Sequence, residues 1–307
     1  MSNSSTKKRS RSIYGALENS THPMFIYINY MLVTLIMLSM LFPLLNIVST
    51  SLSSERAVVS DEVSIYPVEF TANTYQQVMK TTPMFLAMKN TLLLTVVGTT
   101  ISMFTTICTA YALSKKRLYG RNMLLGIITI TMIVNAGLIP NFILIRNLGL
   151  MNTYWAIWLP GALSTWNMLV MKTFFSALPD SMEESAFIDG ANDLRILANI
   201  VLPLSLPSVA TITLFYAVGY WNSYFNLTLY VSRSSLKVLQ QVLRDVISAT
   251  GALEQQATLD SADAMQPMAT ESVKSAAIII ATLPIMLVYP FLQKYFVKGV
   301  MIGAIKG

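Results

Sequence analysis

Charge is scarce in this chain: Asp, Glu, Lys and Arg make up 12% of its 307 residues, against about 25% in soluble domains. That excludes an ordinary water-soluble globule. Cysteine and histidine are scarcer still. Cys108 and His22 each stand alone, so they build neither a disulfide nor a structural zinc site, and both read as packing residues. No G-x-x-x-x-G-K-[ST] phosphate loop is present, so any ATP used must be bound by another polypeptide. Alternation of polarity is missing too. Leu92-Leu93-Leu94-Thr95-Val96-Val97 and Ala276-Ala277-Ile278-Ile279-Ile280 do not alternate, as the strands of an outer-membrane barrel would over about ten residues.

What is there is apolar length. Hydrophobic residues form 54% of the chain and the mean hydropathy is +0.56. Stretches free of charge cover 19–54, 90–114, 122–145, 147–171, 196–232 and 275–293. A bilayer core of about 30 Å needs roughly 20 residues of apolar helix, so each stretch is long enough to cross it. The reading is an all-α polytopic membrane protein with six transmembrane helices, near 25–49, 90–113, 122–145, 151–173, 204–230 and 275–294. The first run is too long for a signal-peptide core and no small-residue cleavage site follows it, so it reads as an uncleaved span.

With six spans both termini share one side. That side carries Lys7, Lys8, Arg9 and Arg11, then Lys115, Lys116, Arg117 and Arg121, then Lys172 and Arg195, and finally Lys294, Lys298 and Lys306. These are 13 basic residues against 6 acidic ones, while the other side has 8 against 9. The positive-inside rule makes the richer side the cytoplasm. The net charge of +6 thus orients the chain in lipid and does not point to nucleic acid. The organisation is a cytoplasmic tail at 1–24, a transmembrane domain at 25–297 and a cytoplasmic tail at 298–307. Two long connections interrupt the domain, 174–203 inside and 231–274 outside.

The inner connection reads as helical. Asp180 stands where it can cap a helix whose first turn holds Glu183 and Glu184, and acid is favoured there by the helix dipole. Gly190 permits a sharp redirection, and a second short helix runs from Asn192 to Val201, stopping before Pro203. Apolar Ala186, Phe187, Ala191, Leu194, Ile196 and Leu197 are interleaved with charge. Such a helix–turn–helix suits the membrane surface, with one face offered to a partner.

Within it stand Glu184-Ser185-Ala186, three residues, Gly190, nine residues, and Ile200-Val201-Leu202-Pro203. The pattern resembles the E-A-A-x3-G-x9-I-x-L-P signature of the membrane subunits of binding-protein-dependent ABC importers, with Ser185 in place of the usual Ala. The likeness runs over nearly the whole chain. Asn90-Thr91-Leu92, Ala110-Tyr111-Ala112-Leu113-Ser114, Gly137-Leu138-Ile139-Pro140, Leu159-Pro160-Gly161, Ile188-Asp189-Gly190-Ala191 and Tyr220-Trp221-Asn222 are similar to the carbohydrate branch. Within it, the chain resembles the second permease of maltose-type systems and the Gram-positive lipo-oligosaccharide-type permeases, whose typical ending matches Tyr289 to Gly307. Ala136 departs from the Gly of many relatives.

The resemblance implies a type I importer permease fold and a half-channel that is not itself an enzyme. It would pair with a second, homologous permease, sit on two ATPase subunits and receive sugar from an extracellular binding protein. No cofactor would be bound by this chain, and ATP with its magnesium would sit on the partner ATPase. The loop at 174–203 becomes a coupling loop. Glu184 would meet a basic cleft residue, Ala186 and Phe187 would fill an apolar socket, Gly190 would make the turn, and Ser185, Asp189, Ala191, Ile200, Leu202 and Pro203 complete the ATPase-facing set. Lys306 and Gly307 would reach between the ATPases. The expected home is the plasma membrane of a Gram-positive bacterium.

Sugars are held by aromatic faces and amides. On the fifth span Tyr216, Tyr220 and Tyr224 form one stripe, with Asn222 and Asn226 roughly opposite. Trp221 and Asn222 lie where the other permease of maltose-type systems contacts sugar, as does Trp166. The favoured substrate path is therefore Trp166, Asn167, Trp221, Asn222 and Asn226. Two rivals are a permease for another substrate class on the same scaffold and an ion-coupled secondary transporter. The second predicts charge inside the membrane and often an inverted repeat.

Overall fold

The computed structural model describes residues 23–259, 271–288 and 290. Most of the expected N-terminal tail, the end of the last expected span and the tail at 298–307 with Lys306 and Gly307 lie outside the described residues. Those described are helical throughout, with no strand among them. In chain order the helices are α1 (Pro23–Ser51), α2 (Glu55–Val59), α3 (Asn73–Thr81), α4 (Met84–Ser114), α5 (Arg121–Ile133), α6 (Leu138–Asn147), α7 (Trp155–Gly161), α8 (Thr165–Ser176) and α9 (Asp180–Ile188). There follow α10 (Asp193–Leu204), α11 (Leu206–Trp221), α12 (Phe225–Tyr230), α13 (Leu239–Leu259) and α14 (Glu271–Val288).

The centre is α4, whose 31 residues make a rod of about 46 Å. It packs chiefly against α11 and α8. Thr91, Ser102 and Thr106 are buried along it among apolar Leu94, Met103 and Ala110. By contrast α1 exposes Phe25, Met31, Leu38 and Leu44 around its whole girth. A helix apolar on every face is buried in protein or lipid, and here the protein covers only its C-terminal end at Ser49–Ser51.

By length and composition, three described helices are able to cross a membrane: Met24–Ser51, Met84–Ser114 and Glu271–Val288. They become five if each of two bent pairs counts as one span. The sequence places spans near 122–145, 151–173 and 204–230, and in the structure the helices at all three are interrupted. The first is α5 and α6, bent by 112°. At the bend Gly137 adopts φ +87° and donates its N–H to Asn135 Oδ1 at 2.9 Å, an Asx turn that ends one helix and starts the next. The second is split between α7 and α8. The third begins at an 87° bend between α10 and α11 and breaks again at 222–224 before α12.

A broken helix at membrane depth frees backbone groups that lipid cannot satisfy, so protein must. At the α7–α8 break, hydroxyls from neighbouring helices supply the need. Ser102 Oγ donates to Gly161 O at 2.9 Å, Thr105 Oγ1 donates to Ala162 O, and Ser164 N–H donates to Tyr216 Oη at 2.9 Å. Tyr216 Oη also lies 2.7 Å from Thr106 Oγ1. Tyr216→Phe strands Ser164 N–H, and a buried donor left unpaired costs about 1–3 kcal/mol. A lowered melting temperature of the detergent-purified protein is expected. An unchanged one would mean that the break is held by something else.

The long outer connection folds back onto the end of α4. Leu239 N–H, at the start of α13, donates to Thr91 Oγ1 at 2.8 Å. Leu239, Val242 and Val246 of α13 then join Val78, Met84, Ala87, Ala276 and Ala277 in a second core. Within this connection a 3-10 turn at Ser234–Leu236 precedes α13.

Candidate functional site

Two regions carry the candidate residues. In the first, the connection at 174–203, α9 opens after Pro179, with Asp180 and Glu183 in its first turn. It closes on Gly190 at φ +79°; Gly190 N–H donates to Phe187 O at 3.0 Å and Ala191 N–H to Ala186 O at 2.9 Å. Asn192 then caps α10, its side chain accepting from Arg195 N–H. The expected helix–turn–helix is present, and its turn is made by the expected glycine.

The faces differ from expectation. Ala186 is buried in this chain's own core, not turned out toward a socket. The Phe187 ring lies under the Arg117 guanidinium, 4.5 Å from its centroid. The apolar surface left open is Ile188, 87% exposed, and Leu194, 73% exposed, beside Met182. Glu184, Ser185 and Asp189 are exposed, Ala191, Ile200 and Leu202 are half-buried, and Pro203 is exposed. Ser185 Oγ is spent on Ser181 O at 2.9 Å, so the side chain that departs from the signature stays on its own helix.

Beside α9 the α4–α5 turn brings its cations. Lys115 pairs with Glu183, Lys116 with Asp180 at 3.2 Å and Arg117 with Asp193. All of these but Asp193 line, with Arg121, Lys172 and Glu184, a cavity of about 420 Å³. Opposite signs at 115–117 and 180–193 are visible in the sequence, but their partnership is not, because about seventy residues separate them.

The second region is a cavity of about 800 Å³ between α6, α7, α8, α11 and α12. Asn141, Asn167 and Asn226 line it with Ser164, Tyr216 and Tyr220. No charged side chain is among its lining residues. Of the five residues favoured from sequence, Asn167 and Asn226 meet here. The other three do not. Trp166 is exposed outside the lining, and Trp221 is packed in the second core. Asn222 caps α11, holding Val218 O at 3.0 Å and accepting from Gln240 Nε2 at 3.3 Å. The break at 222–224 resets the helical register beyond it. Asn226 therefore shares a cavity with Tyr216 and Tyr220, although an unbroken helix sets them on opposite faces. The tyrosine stripe was a usable signal; Asn141 and Ser164, on separate elements, offered none.

A sequence model of the binding-protein-dependent transport system inner membrane component matches residues 20–302. The chain is 39% identical over 265 residues to a Bacillus subtilis protein named polygalacturonan/rhamnogalacturonan transport system permease protein YtcP, covering 86% of this chain and 92% of that one. It is 40% identical over 269 residues to Protein LplC of Bacillus subtilis, covering 87% and 90%. Its fold superposes, with a TM-score of 0.81 and 35% identity over 89% of this chain and 97% of the other, on a solved chain of a bacterial ABC transporter involved in the import of the acidic polysaccharide alginate. The helical architecture, the turned connection at 174–203 and these likenesses converge: this chain belongs to the family of inner membrane components of binding-protein-dependent transport systems.

Proposed function

We propose that this chain is one of two permease halves of an ATP-driven importer of a sugar or oligosaccharide, in the plasma membrane of a Gram-positive bacterium. A second, homologous permease completes the path, an extracellular binding protein delivers the saccharide, and two ATPase subunits dock on the coupling loop around Glu184–Gly190. The observation that carries the reading is the likeness, over most of both chains, to permeases named for polygalacturonan and for alginate import. The geometry supports it. An exposed Glu184 beside open Ile188 and Leu194 gives a partner charge and apolar area together. The amides and hydroxyls of the larger cavity match sugar hydroxyls.

ATP-dependent uptake by the complete transporter in vesicles, with an oligogalacturonate and a neutral malto-oligosaccharide as probes, tests this reading. Uptake of either one supports it. Uptake driven by an ion gradient without ATP overturns it in favour of a secondary transporter. Asn167→Ala and Asn226→Ala are each expected to raise KM for uptake about 2- to 10-fold, the worth of one neutral hydrogen bond. Equal KM in all three proteins would remove the cavity from the path.

A further inference from the structure

The chain links α9 covalently to α8 and α10, but the helix at the centre of the molecule is α4. Beside the apolar packing of Ala186 against the end of α4, side chains of the α4–α5 turn bridge α4 to α9 and α10. Three ion pairs cross there, and they are not alike. The Lys116–Asp180 side chains are 84% and 75% exposed and those of Arg117–Asp193 53% and 55%; water and salt leave such pairs with little strength. The Lys115–Glu183 side chains are 14% and 15% exposed, and a pair held out of water resists separation because each charge is left uncompensated without the other. Lys115 Nζ also lies 4.3 Å from the centroid of the Tyr111 ring. That ring meets Phe175 of α8 edge-on at 6.5 Å. One sheltered charge pair thus ties α9 to α4 at a point where α8 is already packed.

We propose that Lys115 and Glu183 are positioning residues for transport, the joint through which displacement of the coupling helix α9 is passed to the central helix α4. The two adjacent glutamates then divide the work. Glu184 faces outward to the ATPase, and Glu183 faces inward to its own permease. The inference rests on the coupling role proposed above, because a joint matters only if α9 is moved from outside.

The experiment uses the complete transporter in lipid nanodiscs and vesicles, reading saccharide taken up per ATP hydrolysed, ATPase co-purification and melting temperature. Glu183→Gln and Lys115→Met are expected to lower uptake per ATP roughly tenfold, in the range of ordinary coupling free energies, with the ATPase still bound. The exchanged pair Lys115→Glu with Glu183→Lys is expected to recover most of the ratio. Lys116→Ala, at an exposed pair, is expected to lower it by about twofold at most. A merely structural role would move the melting temperature and leave uptake per ATP alone, and that result overturns the proposal. If the single variants fail to accumulate, the exchanged pair decides: a ratio near wild type supports the joint, and a low ratio in folded protein overturns it. Wild type that binds no ATPase removes the coupling reading and the joint with it. Coupling lost in Glu184→Lys but intact in Glu183→Gln removes the joint alone.

Discussion

Gly98→Ala is expected to lower the melting temperature of the purified protein sharply, and Gly161→Ala to do the same for a different reason. Both glycines face Tyr220. A Cβ at position 98 would stand 2.8 Å from Tyr220 Cζ and 2.9 Å from each Cε of the ring. A Cβ at position 161 would stand 2.7 Å from the Tyr220 hydroxyl and 3.4 Å from Cζ. The ring has no slack between them, because its hydroxyl is also held 2.9 Å from Ser102 Oγ. Overpacking by a single methyl commonly costs about 1–3 kcal/mol, and here it falls where α4 packs against α11. The two sites separate under one further change. Tyr220→Phe removes the atom that obstructs position 161 and leaves the ring carbons that obstruct position 98. Combined with Gly161→Ala it is expected to destabilise less than the sum of the two single effects, whereas combined with Gly98→Ala it is expected to be additive or worse. Equal behaviour of both pairs would show that the ring shifts freely and that the close approach is not what those glycines provide.

Loss of the ATPase partner is the second large effect, expected for Gly190→Pro together with Glu184→Lys. Position 190 has open space, with nothing within 4 Å of an added Cβ, so crowding does not demand a glycine. The backbone does: φ is +79°, which costs an L-residue roughly 1–2 kcal/mol and which proline, fixed near −65°, cannot adopt. Proline also removes the N–H given to Phe187 O. The turn sets the angle between α9 and α10, and with it the relation of Ile188 to Leu194. ATPase recovery is therefore expected to fall in the order wild type, Gly190→Asn, Gly190→Ala, Gly190→Pro, since asparagine tolerates the left-handed region better than alanine. Co-purification of the tagged chain from gently solubilised membranes, followed by mass spectrometry and ATPase assay, reads that order. If alanine and proline behave alike, the conformation of the turn is not what the partner reads.

Membrane class, helical fold and the helix–turn–helix at 174–203 were legible in the sequence because each is local. A charge-free run is a property of its own residues, and the spacing from Glu184 through Gly190 to Pro203 is contained in one short segment. The breaks in the spans were not legible as breaks. Leu159-Pro160-Gly161 and Gly137-Leu138-Ile139-Pro140 mark them in hindsight, but proline and glycine interrupt a membrane helix only where neighbours accept the freed backbone. Those neighbours, Ser102, Thr105 and Tyr216, come from elsewhere in the chain. The lining of the larger cavity was illegible for the same reason. Asn167 and Asn226 face one cavity, whereas Trp221, attractive for its chemistry, fills a core built from five different helices. Glu183 reads in the sequence only as a first-turn acid beside a signature that begins one residue later, and its burial against Lys115 sets it apart.

The borrowed hydroxyls at the α7–α8 break also constrain how the protein is made. The segment from Trp155 to Ser176 leaves the ribosome after Ser102 and Thr105 but before Tyr216, so two of its three helpers are waiting and one is not. Until α11 is synthesised and inserted, Ser164 N–H has no tyrosine to bind and must keep water or the insertion machinery as its partner. A nascent protein halted ahead of Tyr216 therefore lacks the acceptor that Ser164 N–H has in the finished fold, and lipid cannot replace it.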